Sequence, residues 1–186
     1  MENRLIVKLI VGTESMFFLA LIMAYVYFSA HSGFKPVQSA NLDLHATAIF
    51  SLFLFSSSFT YWCAESSALK GRMNQVKGWL LLTIILGLIF LFGQGHEYEK
   101  LLHNDVTVSS SIFGTSFYTL TGFHGLHVVI GLIAIGILAG LVFSGNYDPT
   151  RSSFISALGI YWHFVDIVWL FVFSVVYVLP HLNSLL

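Results

Sequence analysis

Five ionisable side chains lie inside stretches that are otherwise almost wholly apolar: Glu14, His124, His127, His163 and Asp166. Placing such a group at membrane depth costs about 2.5–3.5 kcal/mol on insertion scales, so each has a reason to be there. Three kinds of chemistry are open to them. They can hold or pass a proton, ligate a metal, or hydrogen-bond to one another and lock helices together. A carboxyl in such surroundings is expected to keep its proton, which lowers the cost of burial and makes it a possible proton carrier. His124 and His127 are three residues apart and share one helix face, a spacing that suits a metal centre. A two-haem cytochrome would need histidines at two depths on two helices. Only His163 lies deep in the last apolar stretch, and none lies deep in the first three. Cys63 is the single cysteine, which excludes an intrachain disulfide and a thiolate cage. The expectation is therefore no catalytic, haem or metal site on this chain, with the five residues in proton-related or structural roles.

The elements that position these residues follow from hydropathy. Of 186 residues, 56% are hydrophobic and only 9% charged, with a mean hydropathy of +0.82. A soluble domain carries about 25% charged residues, so this composition cannot cover a water-facing surface. The net charge of −1 argues against a nucleic-acid partner. Five segments are long and apolar enough to cross a bilayer: 5–30, 44–64, 79–95, 117–143 and 154–179. Their pattern lacks the alternation of a β-barrel strand. The fold expected over 1–186 is an all-α integral membrane protein, a bundle of five transmembrane helices in one domain. The first stretch exceeds a signal-peptide core and lacks a cleavage site, so it reads as a retained helix.

Connectors carry the turn chemistry. His31-Ser-Gly-Phe-Lys-Pro36 is expected to break the first helix, Lys70-Gly-Arg72 to separate the second from the third, and Asp148-Pro149 to open the fifth. With the N-terminus cytoplasmic, the inner side carries Arg4, Lys8, Lys70, Arg72, Lys77 and Arg151, against Lys35 and Lys100 outside. That asymmetry favours a cytoplasmic N-terminus and a periplasmic C-terminus. Tyr27, Trp62, Trp79, Tyr98, Tyr147 and Tyr177 fall near helix ends, as an interfacial belt requires. Glu97 and Glu99, flanking Tyr98, are expected in the headgroup zone.

Depth suggests one pairing. If the fourth and fifth helices form a hairpin centred near Asn146 and Tyr147, His127 and Asp166 each lie about 20 residues from the turn, roughly 25–30 Å along their helices. Equal depth would let the carboxyl of Asp166 orient the His127 ring or share its proton, with His163 as the fallback partner and Glu14 next. Gly136 and Gly140 form a GxxxG spacing that would admit a close helix. Ser56, Ser57 and Ser58 are expected to bond back to carbonyls one turn earlier.

Four stretches carry a family resemblance. Thr121-Gly-Phe-His-Gly-Leu-His-Val128 and Tyr161-Trp-His-Phe-Val-Asp-Ile-Val-Trp-Leu170 resemble signatures of subunit III of the haem–copper respiratory oxidases. Glu14-Ser-Met-Phe-Phe18 resembles that family's Glu-bearing helix, and Gln94-Gly-His-Glu-Tyr98 its penultimate outer loop. The chain resembles the short, five-helix form of bacterial quinol oxidases and some bacterial cytochrome c oxidases. At Trp62-Cys-Ala-Glu65 it departs from relatives that carry two histidines there.

The resemblance implies an accessory core subunit of a cytochrome c oxidase in a bacterial inner membrane. Haems and copper would sit on subunits I and II, which reduce oxygen and pump protons. This chain would support assembly, lipid binding and proton uptake, packing directly on subunit I. Subunit II, small subunits, bound phospholipid and a supercomplex with an electron-donor complex are further implied partners. Subunit III of a quinol oxidase is the nearest alternative. A stand-alone proton or ion transporter through Glu14, His127 and Asp166 is the other, although no internal repeat or broken helix supports it.

Overall fold

The computed structural model describes residues 2–31, 42–145 and 154–183. All its regular elements are helical: α1 Glu2–His31, α2 Leu44–Leu69, α3 Met73–His103, α4 Ile112–Phe143 and α5 Phe154–Phe173. A π-helical segment, Ser174–Val178, then leads into the short α6, Leu179–Asn183. Among the described residues five helices are long and apolar enough to span a membrane, the fifth running over Phe154–His181 through α5, the π segment and into α6. The expected breaks at 32–36 and Asp148-Pro149, the depth centre at Asn146 and Tyr147, and Lys35 and Arg151 lie outside the described residues.

Local chemistry sets the helix ends. Asp43 caps α2, its carboxylate accepting from Ala46 N–H at 3.0 Å. The backbone N–H of Arg72 reaches Ser67 O and that of Gly71 reaches Ala68 O, both at 3.0 Å. Gly71 has φ +69°, so Lys70-Gly-Arg72 closes α2 as a Schellman turn and reverses the chain into α3. α3 ends by the same motif. Val106 N–H bonds Leu101 O and Asp105 N–H bonds Leu102 O, with Asp105 in the left-handed position at φ 57°. Ser111 caps α4 by accepting from Gly114 N–H at 3.0 Å. Near the C-terminus Pro180 has no N–H to give Val176, and the turn before it widens, Leu179 N–H bonding Ser174 O.

α3 runs about two turns beyond 79–95 at each end, because Val76 and Leu101 are fully buried and extend its packed stripe. α2 packs most extensively on α3, and α5 lies against α1, α2 and α4. Trp162 fills the centre. A Cβ on Gly131 would come within 2.7 Å of its ring, and one on Gly87 within 3.4 Å. Its indole N–H donates to Ser57 Oγ at 3.1 Å, and that of Trp169 to Ser51 Oγ at 2.8 Å. Ser57 and Ser51 donate in turn to Leu54 O and Thr47 O, so each buried N–H on α5 is met by an α2 serine. α1 lies at the edge against α4 and α5, and Phe18 and Tyr25 are its buried side chains among those described. Large apolar side chains cover the outside, among them Met16, Leu52, Phe92 and Ile133. That surface belongs in lipid or against other membrane helices.

Candidate functional site

The central site lies where the middles of α1 and α4 meet. His127 Nε2 is 3.1 Å from Glu14 Oε2, and His127 Nδ1 is 2.7 Å from the carbonyl of Phe123. A carbonyl only accepts, so Nδ1 carries a proton. One further proton then lies between Nε2 and the Glu14 carboxyl: either neutral histidine accepts from carboxylic acid, or imidazolium donates to carboxylate. In both forms the pair is neutral overall, which is how two ionisable groups coexist in an apolar layer. The Phe18 ring meets the imidazole edge-on at 4.9 Å, and Tyr161 O–H donates to the His127 carbonyl at 3.1 Å. The His127 side chain is 12% exposed and that of Glu14 32%, so the pair opens toward the α1 side.

The expected pairing of His127 with Asp166 does not form. Depth along a helix leaves rotation about its axis free. That rotation turns His127 toward α1, whereas Asp166 lies with α2. Asp166, Ser58 and His163 line a shallow groove between α2 and α5, with Phe55, Ile167 and Leu170 around them. Ser58 Oγ and His163 Nδ1 share a hydrogen bond of 3.0 Å, so Ser58 faces α5 instead of bonding back within α2. Ser57 does bond back, to Leu54 O at 2.6 Å. Asp166 is buried, with the Ser58 hydroxyl as the donor beside its carboxyl.

His124 stands apart from both sites. It is 1% exposed, stacks on Trp169 at 4.7 Å between ring centres, and meets Phe90 and Phe18 edge-on. Neither ring nitrogen has a hydrogen-bond partner among the described residues. The shared helix face of His124 and His127 therefore does not become a shared ligand set. One ring is sealed among aromatics and the other is committed at both nitrogens. Among the described residues no three His, Cys, Asp or Glu side chains gather as a metal site.

Two further carboxyls join the interhelical polar groups unexpectedly, Glu97 buried and Glu65 half-buried. Glu97 was expected among headgroups but is 6% exposed. It accepts from the Thr47 hydroxyl and, at 3.2 Å, from Asp43 N–H. The signal was the buried stripe Phe90, Gln94, Glu97, Leu101 at helical spacing. Tyr98, expected as an interfacial anchor, turns inward, its hydroxyl 2.8 Å from Thr121 Oγ1. Tyr177, also assigned to the belt, is buried. Glu65 accepts from the Ser156 hydroxyl, bridging α2 and α5 two turns from the Ser58–His163 bond. Just ahead of α2, Asp43 Oδ2 lies 3.4 Å from Lys100 Nζ. The Ala46 N–H, followed by the Lys100 ammonium, holds the Asp43 carboxyl below its usual range.

Comparison with known proteins fits this arrangement into a family. Residues 3–180 match the family model of cytochrome c oxidase subunit III. The chain belongs to that family. It is 39% identical over 166 residues to the probable cytochrome c oxidase subunit 3 of Mycobacterium leprae, covering 89% of this chain and 82% of that protein. Against cytochrome c oxidase subunit 3 of Corynebacterium diphtheriae it is 34% identical over 167 residues, 88% of this chain and 82% of the relative. Against that of Synechocystis the figures are 36% over 175 residues, 93% and 74%. As a subunit III it is the accessory subunit of a haem–copper oxidase and a multi-pass protein of a bacterial inner membrane. The two quoted stretches that carry the family resemblance best also carry His127 on α4 and Asp166 on α5.

Proposed function

We propose that this chain supports its oxidase without taking part in electron transfer: it packs directly on subunit I, steadies assembly, binds phospholipid, and holds a proton at mid-membrane in the Glu14–His127 pair. Haems and copper are carried by subunits I and II, which reduce oxygen and pump protons. The observation that supports this reading best is the pair itself, a neutral unit with one transferable proton and both histidine nitrogens already engaged. A group so arranged can lend and recover a proton, but offers no free nitrogen to a metal. The relatives are named for cytochrome c oxidases, which favours cytochrome c over quinol as the donor to the complex. The lysines and arginines near Lys70, Arg72 and Lys77 favour a cytoplasmic N-terminus.

The test compares the complete oxidase with oxidase stripped of this chain. Haem and copper per subunit I should be unchanged, and electron transfer retained, while proton uptake during sustained turnover slows. Loss of haem or copper in proportion to this chain would overturn the reading.

A further inference from the structure

The eight histidines divide by depth. His124, His127 and His163 lie at mid-membrane, and the other five, His31, His45, His96, His103 and His181, are exposed. Those five stand at the end of α1, the start of α2, the end of α3 and the end of the fifth span. Successive spans cross in opposite directions, so all five positions share one face of the membrane. The opposite face carries Lys70, Arg72 and Lys77 and, among the described residues, no histidine. The side chain that exchanges protons near neutral pH is thus gathered on one side of a chain poor in charge.

The chemistry is densest at the corner where α2 begins and α3 ends. His96, Glu99 and His103 follow at i, i+3 and i+7 along the open side of α3. His96 Nδ1 is 3.9 Å from Glu99 Oε2, and both side chains are 68% exposed. Lys100 Nζ reaches Asp43 Oδ2 at 3.4 Å, and Glu97 accepts from Asp43 N–H and from the Thr47 hydroxyl. These bonds hold Asp43, and with it His45, against the end of α3. Asp105 follows His103 in the turn. Seven residues of helix span about 10 Å, so neighbouring groups lie within about one Debye length of each other. Three carboxylates open to water, Asp43, Glu99 and Asp105, stand against one ammonium, Lys100. The other titratable groups packed beneath, Glu97 and Tyr98 on α3, Tyr118 on α4 and Tyr177 in the π segment, add no cation. The corner is negative, so its field draws protons in, and the imidazoles among the carboxylates can hold them.

We infer that this face is a proton-collecting surface, in which Asp43, Glu99 and Asp105 draw protons from water and His45, His96 and His103 hold and exchange them. A proton captured by Glu99 passes to the His96 ring, which leaves the carboxylate free to capture another. The imidazolium later returns its proton to a neighbouring carboxylate or to water. The surface is separate from the Glu14–His127 pair, which lies at mid-membrane on α1 and α4. Its assignment to the periplasmic side rests on the reading that the N-terminus is cytoplasmic.

The experiment uses whole oxidase in mild detergent, with Cys63→Ala and Ser109→Cys in this chain and fluorescein maleimide on the new cysteine, beside the corner. Cys63→Ala alone corrects for dye on other subunits. After a laser pulse on a soluble photoacid, the dye should be protonated several-fold faster than when His45→Gln, His96→Gln, His103→Gln and Glu99→Gln are combined. Salt at about 1 M, where the Debye length falls to about 3 Å, should remove most of the difference. If the combined variant does not assemble, His96→Gln with Glu99→Gln, both on the open side of α3, should still slow the dye. Equal rates in the assembled variant and the parent would overturn the proton-collecting surface and leave the orientation standing. In sealed vesicles with the cytoplasmic side inward, a membrane-impermeant maleimide should reach Ser109→Cys from outside. Labelling from the inside alone would overturn the periplasmic assignment and leave the surface standing.

Discussion

His127 Nε2 lies 3.1 Å from Glu14 Oε2 across the α1–α4 contact, while Nδ1 of the same ring is held on the Phe123 carbonyl. The second bond fixes the tautomer, so the first must contain one shared proton. A neutral, proton-sharing pair reconciles two ionisable residues with their apolar setting, and it joins two sequence stretches more than a hundred residues apart.

A hydrophobic carbodiimide reacts with a carboxylic acid and not with a carboxylate. In the intact oxidase near neutral pH it should modify Glu14, which is partly open, and spare Asp166, whose oxygens are enclosed. Peptide mass spectrometry locates the adduct. No modification of Glu14 would place the shared proton on His127. Glu14→Gln should keep most of the oxygen consumption, because electron transfer is assigned to other subunits.

Packing around Trp162 separates the glycines by consequence. Gly131→Ala would press a methyl to 2.7 Å from the indole, and such overpacking costs about 1–3 kcal/mol. Gly114→Ala would run into the Thr107 carbonyl, a backbone atom that cannot swing away, and should be worse. Gly136→Ala meets open space within the chain and should be tolerated. Thermal unfolding of the detergent-solubilised variants ranks them.

The same open space makes Gly136 and Gly140 a candidate contact for another helix. Gly136→Leu should leave this chain folded but reduce its recovery with subunit I on affinity capture. Undiminished recovery would remove the stripe from the interface.

Acid should loosen the start of α2. The Asp43 carboxyl is held below its usual range in the folded chain, chiefly by the Ala46 N–H. Its contribution is therefore complete above the ordinary carboxylate range and is lost as pH falls through the lowered folded value. Asp43→Ala should cost about 1 kcal/mol at neutral pH through loss of the cap and flatten the acid limb attributable to this residue. Unfolding midpoints of the two proteins across the acid range test both statements.

The spanning segments, the Lys70-Gly-Arg72 turn and the identity of the mid-membrane polar residues were legible in the sequence, because hydropathy and turn chemistry are local. Partners were not. Equal depth pointed His127 to Asp166, but depth leaves the rotation of α4 about its axis free, and that rotation turns the histidine toward Glu14 on α1. Glu97 and Tyr98 read as interfacial because charge clusters after Gly95. Only the buried stripe continuing through Leu101 shows that α3 carries them inside the bundle. Glu65 stands where relatives differ, and its bond to Ser156 depends on a contact between α2 and α5 that spacing within α2 does not reveal.

The central claim is that this chain is an accessory subunit of a haem–copper oxidase and carries no redox centre of its own. Affinity capture of the tagged chain from its native membrane in mild detergent, followed by a reduced-minus-oxidised absorbance spectrum and metal analysis, tests it most directly. The account predicts haem bands and copper in the captured complex, and neither in the chain once stronger detergent has separated it. A chain that elutes alone from the native membrane, or keeps a haem band after separation, would contradict it.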